Sequence, residues 1–355
     1  MSEILSGTIY ANQRFFEGSV EFGTDGAIEL HEHAIRDGSR LILPVAVNCH
    51  THVGDYCLRG KIDLRRKLED IVRPPDGLKH RLLSETDEDT IVSGISSAIS
   101  EMKRNGIRVF IDFREGGIQG VGMLRKALAR SEGIDAIVLS RPKSLEYNDA
   151  EIDQLLEVSD GIGLSAVSDW RYDDILAIAQ HVKSKGKIFS LHASESRRED
   201  IGKILDLSPD FLVHMALAND DDLVACHEMG IPIVVCPRSN SLFNIRLDIT
   251  RMIDAGITVC LGTDNAMFHS LSVIDEMRAA YRLRSNSRQL TVEEVFRLAF
   301  DNPQKIINDK SRISFIEGAR PLLMVVEARG RMTPERLLGA DIDYTIRLIE
   351  ENEQS

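Results

Sequence analysis

From Leu41 onward, short apolar runs rich in β-branched residues alternate with longer stretches in which apolar residues recur at helical spacing. Eight such runs stand out: LILPVAVNCH (41–50), IRVFIDF (107–113), DAIVLS (135–140), DGIGLSAV (160–167), KIFSLHA (187–193), FLVHMA (211–216), IPIVVCP (231–237) and ITVCLGTD (257–264). Most are apolar on both sequence parities, as strands of a parallel sheet covered on both faces should be. Between the first two, Ile91, Ile95, Ala98, Ile99 and Met102 share one face, acidic residues precede them, and Lys103, Arg104 and Gly106 follow. That pattern predicts a helix over 86–104, capped by Ser84 or Thr86. Further helices are expected near 119–131, 172–185, 195–205, 220–229, 272–284 and 291–300. Eight alternating units within about 250 residues predict a (β/α)8 TIM barrel, assigned to 44–310, with a doubly wound open sheet as the alternative.

The two ends differ in texture. Gly7, Gly18, Gly23, Gly26 and Gly38 punctuate short β-like runs such as GTIY and SVEFG, and RISFIEGARPLLMVVEARG looks the same after the last barrel helix. Residues 1–43 and 311–330 are therefore expected to form one small β-sandwich-like domain, leaving 331–355 as a partly helical tail with a short helix near 334–338. The stretch Tyr56–Leu83 is longer than an ordinary βα loop and could cover a site.

Charge narrows the partners. Of 355 residues, 43 are basic and 56 acidic, a net charge of −13 with no block of Lys and Arg, so a nucleic-acid backbone is repelled and a small-molecule partner is expected. No apolar run approaches the roughly 20 residues that cross a membrane. Five cysteines without a C-x-x-C pair, and a start, MSEILSGTIYANQ, without a basic and apolar leader, suit reduced thiols in a cytoplasmic protein. There is no G-x-S-x-G elbow, no P-loop and no H-x-E with P-C-x-x-C, and Gly116 and Gly117 make no dinucleotide fingerprint.

The chemistry sits at strand ends. His50 and His52 end the first run, and their spacing of two aims both imidazoles the same way. His31 and His33 have that spacing too, but lie among Glu29, Glu32 and Asp37, where they read as a solvated surface pair. His192 ends the fifth run, His214 the sixth and Asp264 the eighth. In a closed parallel barrel these four strand ends converge on one mouth, the face where barrel active sites are built. Three histidines and an aspartate suit one divalent metal, zinc or ferrous iron, with room for a water whose pKa would fall from about 15.7 to near neutrality. Asp264 could orient that water and take its proton. Glu195, expected at the start of the following helix, could pass a proton to a substrate nitrogen.

The ordered motifs NCHTH, HASE, VHMA, CPRSN and GTDN resemble the amidohydrolase superfamily. The similarity is nearest to its mononuclear cytosine, guanine and S-adenosylhomocysteine deaminases and the archaeal cytosine-deaminase-related hydrolases. It runs from the N-terminal β unit to about Gly330. The resemblance implies that His50, His52, His192 and Asp264 bind one metal, that Glu195 shuttles the proton, and that His214 hydrogen-bonds the hydrolytic water or the oxygen of the tetrahedral intermediate. DGIGLSAVSDW holds no lysine, which argues against the two-metal centres of the superfamily.

Two departures bear on the substrate. Asn265 follows Asp264 where adenosine deaminases of this pattern carry a second aspartate, and the FREGG turn (113–117) is unlike the deaminase sequence there. Candidate substrate contacts at the mouth are Arg114, Glu115, Arg141 and Trp170, with Asp76 and His80 from the PPDGLKHR loop and Asn240 beside the seventh run. The expected function is metal-dependent hydrolysis of a non-peptide C–N bond, foremost deamination of a nucleobase-like molecule. Cleavage of an amide or cyclic C–N bond by the same site is the alternative, and a metal-free scaffold barrel the non-enzymatic one. Barrel enzymes of this kind often pair, so a homodimer is expected, although no interface is visible in the sequence.

Overall fold

The computed structural model describes residues 4–22, 28–285, 288–307, 322–339 and 341–350. The portions of the expected β domain at 1–3, 23–27 and 311–321 lie outside the described residues. The eight apolar runs form the strands of a (β/α)8 barrel: β5 (Ala46–His52), β6 (Ile107–Arg114), β7 (Asp135–Ser140), β8 (Gly161–Leu164), β9 (Ile188–Ala193), β10 (Phe211–His214), β11 (Ile233–Val235) and β12 (Val259–Leu261) are successive parallel neighbours. The eighth strand is broken. After β12 the chain resumes as β13 (Asp264–Asn265), which pairs with β5 and sets Asp264 opposite Thr51 and Asn265 opposite His52. At the break a Cβ on Gly262 would lie 2.6 Å from His50 Cβ, so only glycine lets the strand pass. Asn48 replaces the missing ladder: its Nδ2 donates to Thr263 Oγ1 (2.7 Å) and its Oδ1 accepts from Thr263 N (3.0 Å).

Two apolar layers follow from strands buried on both faces. Val47, Val109, Ile111, Ile137, Phe211, Val213 and Val234 belong to one core cluster, and Phe110, Val138, Leu191 and Leu212 to the larger one that takes in the surrounding helices. Helix α3 (Glu88–Arg104) buries Ile91, Val92, Ile95, Ala98, Ile99 and Met102 there, each larger side chain contributing about 1.5–3 kcal/mol. Its cap is Asp87, which accepts from Thr90 N, and not Ser84 or Thr86. Those two hydroxyls instead donate back to Arg81 O and Leu82 O and close the preceding helix, α2 (Leu78–Glu85), which follows the short α1 (Leu68–Val72).

Further helices around the barrel are α4 (Gly117–Leu128), α5 (Asp149–Val158), α6 (Tyr172–Ser184), α7 (Ile201–Asp206), α8 (Asp220–Glu228), α9 (Pro237–Leu242), α10 (Ile249–Asp254), α11 (Val273–Arg282) and α12 (Val292–Phe296), the last running on into a wider π turn, 297–301. Helix α5 falls where no helix was expected; Asn148 caps it and Ile152, Leu155 and Leu156 are buried. Helix α7 starts six residues later than the pattern suggested. Glu199 accepts from both Ser194 N and Ser168 N, which holds 194–199 as a loop until Asp200 caps the helix.

The chain ends meet in a six-stranded sheet ordered β15-β14-β4-β1-β2-β3, built from β1 (Ile4–Ala11), β2 (Arg14–Phe22), β3 (Ile28–Glu32), β4 (Arg40–Pro44), β14 (Leu322–Ala328) and β15 (Tyr344–Glu350). Tyr10, Leu41, Leu43, Met324 and Val326 join the barrel core, while Leu5, Ile9, Val20, Ile42, Leu323 and Val325 gather a second small core on the opposite face. Between its last two strands, α13 (Pro334–Gly339) buries Leu337 and Leu338. Among the described residues no helix is long and apolar enough to cross a membrane.

Candidate active site

His50 and His52 from β5, His192 from β9 and Asp264 from β13 each bring one ligand atom to within 4.8 Å of the others. The β5–β6 register shifts between Asn48 and Thr51, the kind of irregularity that re-aims side chains at a strand end. His192 Nε2 lies 3.2 Å from both His50 Nε2 and His52 Nε2, and Asp264 Oδ1 lies 3.4 and 3.7 Å from those two rings. The other nitrogens face outward: His192 Nδ1 donates to Leu164 O (2.8 Å) and His52 Nδ1 to Phe113 O (3.1 Å). Burial, then the Lys79 charge, lowers His52 to about 4, and burial, then His50, holds His192 well below the ordinary imidazole range. Both rings are therefore neutral, with their protons committed at Nδ1.

That leaves two Nε2 lone pairs aimed at each other across 3.2 Å, next to a carboxylate oxygen, an arrangement that repels itself unless a cation lies between them. Two nitrogen ligands each about 2.05 Å from one ion at a tetrahedral angle lie about 3.3 Å apart. The donor set thus fits a zinc or ferrous ion.

A second group overlaps the first. Glu195, His214 and Asp264 also approach one another, with His214 Nε2 3.4 Å from Glu195 Oε1. Burial, then the Asp264 charge, pushes the Glu195 carboxyl well above its usual range. For Asp264 burial acts the same way, but His50 and then His214 outweigh it and hold the group well below that range. Its Oδ2 accepts from Ser239 Oγ (2.5 Å) and its Oδ1 from Asn265 Nδ2 (2.9 Å). Burial lowers His214 to about 3, so this ring is neutral too. The backbone here is strained: Ser194, His214, Met215 and Asp264 have φ of 46°, 74°, 51° and 60°. Each costs about 1–3 kcal/mol, and such residues cluster at functional sites. Met215 N donates to Ala193 O and Leu217 N to Ser194 O, which locks the β9 and β10 ends together.

One central residue carried no signal in the sequence. Lys79 on α2 is 2% exposed, and its Nζ donates to Glu115 Oε1 (2.7 Å) and Asn265 Oδ1 (3.1 Å). Glu115 Oε1 in turn lies 3.1 Å from His52 Nδ1. Burial alone would raise the Glu115 carboxyl, but Lys79 and then His52 hold it well below its usual range. A single ammonium thereby braces two members of the cluster, His52 through Glu115 and Asp264 through Asn265. Lysine in a sequence reads as a solvated surface residue, and only its neighbours His80 and Asp76 drew attention.

These groups line a cleft open to solvent, with Arg73, Arg141, Ser165, Asp169 and Glu199 among its walls. Of the expected contacts, Glu115 and Arg141 face it. Arg114 and His80 line a neighbouring cavity, where His80 Nε2 bonds to Val72 O. Trp170 is not among the residues lining this cavity; it joins the core and donates from Nε1 to Ser165 Oγ. Asp76 is exposed before α2, and Asn240 is buried on α9 with both side-chain polar atoms unpartnered.

The sequence profile of the amidohydrolase family matches residues 41–328. An uncharacterised protein of Methanocaldococcus jannaschii is 33% identical over 309 residues, covering 82% of this chain and 79% of that one. The 5-methylthioadenosine/S-adenosylhomocysteine deaminase of Pyrococcus furiosus is 25% identical over 349 residues, covering 86% and 81%. Among solved structures, an adenosine deaminase from Xanthomonas campestris with bound zinc superposes with a TM-score of 0.75 over 95% of this chain and 88% of that one. At 17% identity this likeness concerns the fold.

Proposed function

The chain belongs to the amidohydrolase family, and on that footing we propose that it is a deaminase, replacing the exocyclic amine of a nucleobase-like ring with oxygen and releasing ammonia. His50, His52, His192 and Asp264 would hold one zinc or ferrous ion, which when bound supplies Lewis acidity and lowers the pKa of a water to near neutrality. The observation that carries the reading is the pair of facing Nε2 lone pairs beside the half-buried Glu195, whose carboxyl is pushed well above its usual range by burial and then the Asp264 charge.

Each remaining step belongs to a side chain. Asp264, fixed by Ser239 and Asn265, orients the attacking water and takes its proton. Glu195 delivers its proton to the ring nitrogen beside the attacked carbon, and His214 Nε2 hydrogen-bonds the oxygen that builds up there. The Glu195 carboxylate then takes the hydroxyl proton while Asp264 returns its own to the amine. Ammonia leaves, the carbon keeps the oxygen as a carbonyl, and both carboxyl groups regain their starting states.

The test is ammonia release by zinc-loaded protein from cytosine, guanine, adenine, their nucleosides and S-adenosylhomocysteine, with Asp264→Asn and Glu195→Gln as controls. Release from one ring, lost in both variants, supports the reading. Release that survives Asp264→Asn overturns the assigned proton path. Silence across the panel from metal-loaded protein favours cleavage of an amide or cyclic C–N bond by the same site.

A further inference from the structure

The FREGG turn departs from the deaminase pattern, and the reaction above makes no use of it. It opens a second, solvent-open chamber that shares Pro74, Glu115 and Arg141 with the first, so the two adjoin with Arg141 in the common wall. Gly116 and Gly117 have φ of 89° and 61°, left-handed conformations that glycine adopts without penalty. They turn the chain from β6 directly into α4, a twelve-residue helix whose first turn has no side-chain cap, and Gly116, Gln119 and Gly120 line the chamber. The opening amides of such a helix, together with its dipole, attract an anion.

Cationic side chains point to the same place independently. Arg114 lines the chamber while only 3% exposed, and its Nη1 has no hydrogen-bond partner. That nitrogen is enclosed against Gly54, so Arg114 brings its charge to the chamber wall rather than a donor held open in it. Arg141 feels the Glu115 and Asp169 carboxylates only through space. Lys143 lays its stem over Gly117, where a Cβ would sit 3.0 Å from its Cγ, and carries its ammonium to Gln119 Oε1 (3.0 Å). The one carboxylate among the lining residues, Glu115, is already bound by Lys79. Among the lining residues three cations and a helix N-terminus face one carboxylate, and although Asp169 and Asp112 act through space on Arg141 and Arg114, the positive surplus at the chamber wall suits a phosphate anion.

We propose that this chamber is a phosphate subsite of the same active site, so that the ring amine is presented to the His and Asp cluster by a phosphorylated, nucleotide-like small molecule. The ring half of this statement rests on the deaminase reading; the phosphate half rests on the chamber. Two measurements on zinc-loaded protein separate them. The first is calorimetric titration with inorganic phosphate, which needs no turnover, on wild type, Lys143→Met and Arg141→Met. Binding by wild type, weakened about tenfold or more in each variant, is expected. The second is the ratio of kcat/KM for each nucleoside 5′-monophosphate to that of its nucleoside, and to that of a carboxylate-bearing analogue. Wild type should favour the phosphate by about tenfold or more, and both variants should lose that ratio through KM.

Ammonia release without phosphate preference, from protein that binds no phosphate, overturns the subsite and leaves the deaminase standing. Phosphate binding that the variants abolish, without ammonia release from any compound, keeps the subsite and overturns the deaminase. Preference for the carboxylate analogue overturns the phosphate assignment.

Discussion

Lys79→Met removes the ammonium while keeping most of the side chain's bulk, and the structure sets the scale of the result. Glu115 would lose its 2.7 Å partner in a wall where it is 6% exposed, Asn265 Oδ1 would lose its 3.1 Å donor, and Asp55, fully buried, would lose the ammonium 3.9 Å from its Oδ2. Breaking a buried pair by removing one partner costs about 3–5 kcal/mol, and the amide contact adds about 1 kcal/mol. Protonation of Glu115 offsets part of this, since Lys79 is the main influence holding that carboxyl low against its burial. The expected net loss is about 3 kcal/mol. Urea unfolding of wild type, Lys79→Met, Glu115→Gln and the double variant closes the cycle. The double variant should be more stable than Lys79→Met alone, with a coupling of about 2 kcal/mol or more. A Lys79→Met protein within about 1 kcal/mol of wild type, or a cycle without coupling, would refute the role of Lys79 as the brace of the cluster.

Other positions give independent checks. Burial raises the Glu101 carboxyl, but Arg59, the Leu271 amide and the Tyr56 hydroxyl outweigh it, leaving the group below its ordinary 4.5 in the folded chain. A depressed folded value means stability that is present above about pH 4.5 and is lost as pH falls through the folded value, so Glu101→Gln should flatten the acid limb of a stability–pH curve. An undiminished limb would assign the acid sensitivity to other groups. Gly54→Ala would place a Cβ 1.6 Å from Arg114 Nη1 and should cost about 1–3 kcal/mol by unfolding. Gly122→Ala, mid-helix with nothing within 4 Å of the new Cβ, should instead stabilise by about 0.5–1 kcal/mol. The opposite order of these two glycines would contradict the local packing described.

The barrel was legible because parallel strands covered on both faces leave apolar runs that end abruptly in polar residues. His50, His52, His192, His214 and Asp264 each stand at such an end, so the run boundaries alone brought them to one mouth. What escaped depended on tertiary contacts. The pattern of Lys79 is that of a surface lysine, and its burial follows from α2 lying across the mouth. Glu195 sits in a loop and not in a helical turn because Glu199, four residues on, folds back onto Ser194. Trp170 turns into the core because the 3-10 turn Val167–Asp169 directs its indole to Ser165. Helix α5 had a readable cap and apolar face, but its acidic neighbours masked the pattern. Strand β15 has period-two alternation only over seven residues and is fixed by pairing with β14.

The claim on which the rest depends is that three imidazoles and one carboxylate at the barrel mouth hold a single divalent ion. Its most direct test is metal content per chain, by mass spectrometry after zinc loading and extensive desalting, on wild type and on a His192→Ala variant whose circular dichroism matches wild type. The account predicts one ion per wild-type chain and a near-complete loss in the variant. Folded wild type that retains none, or a variant that keeps a full equivalent, would contradict it.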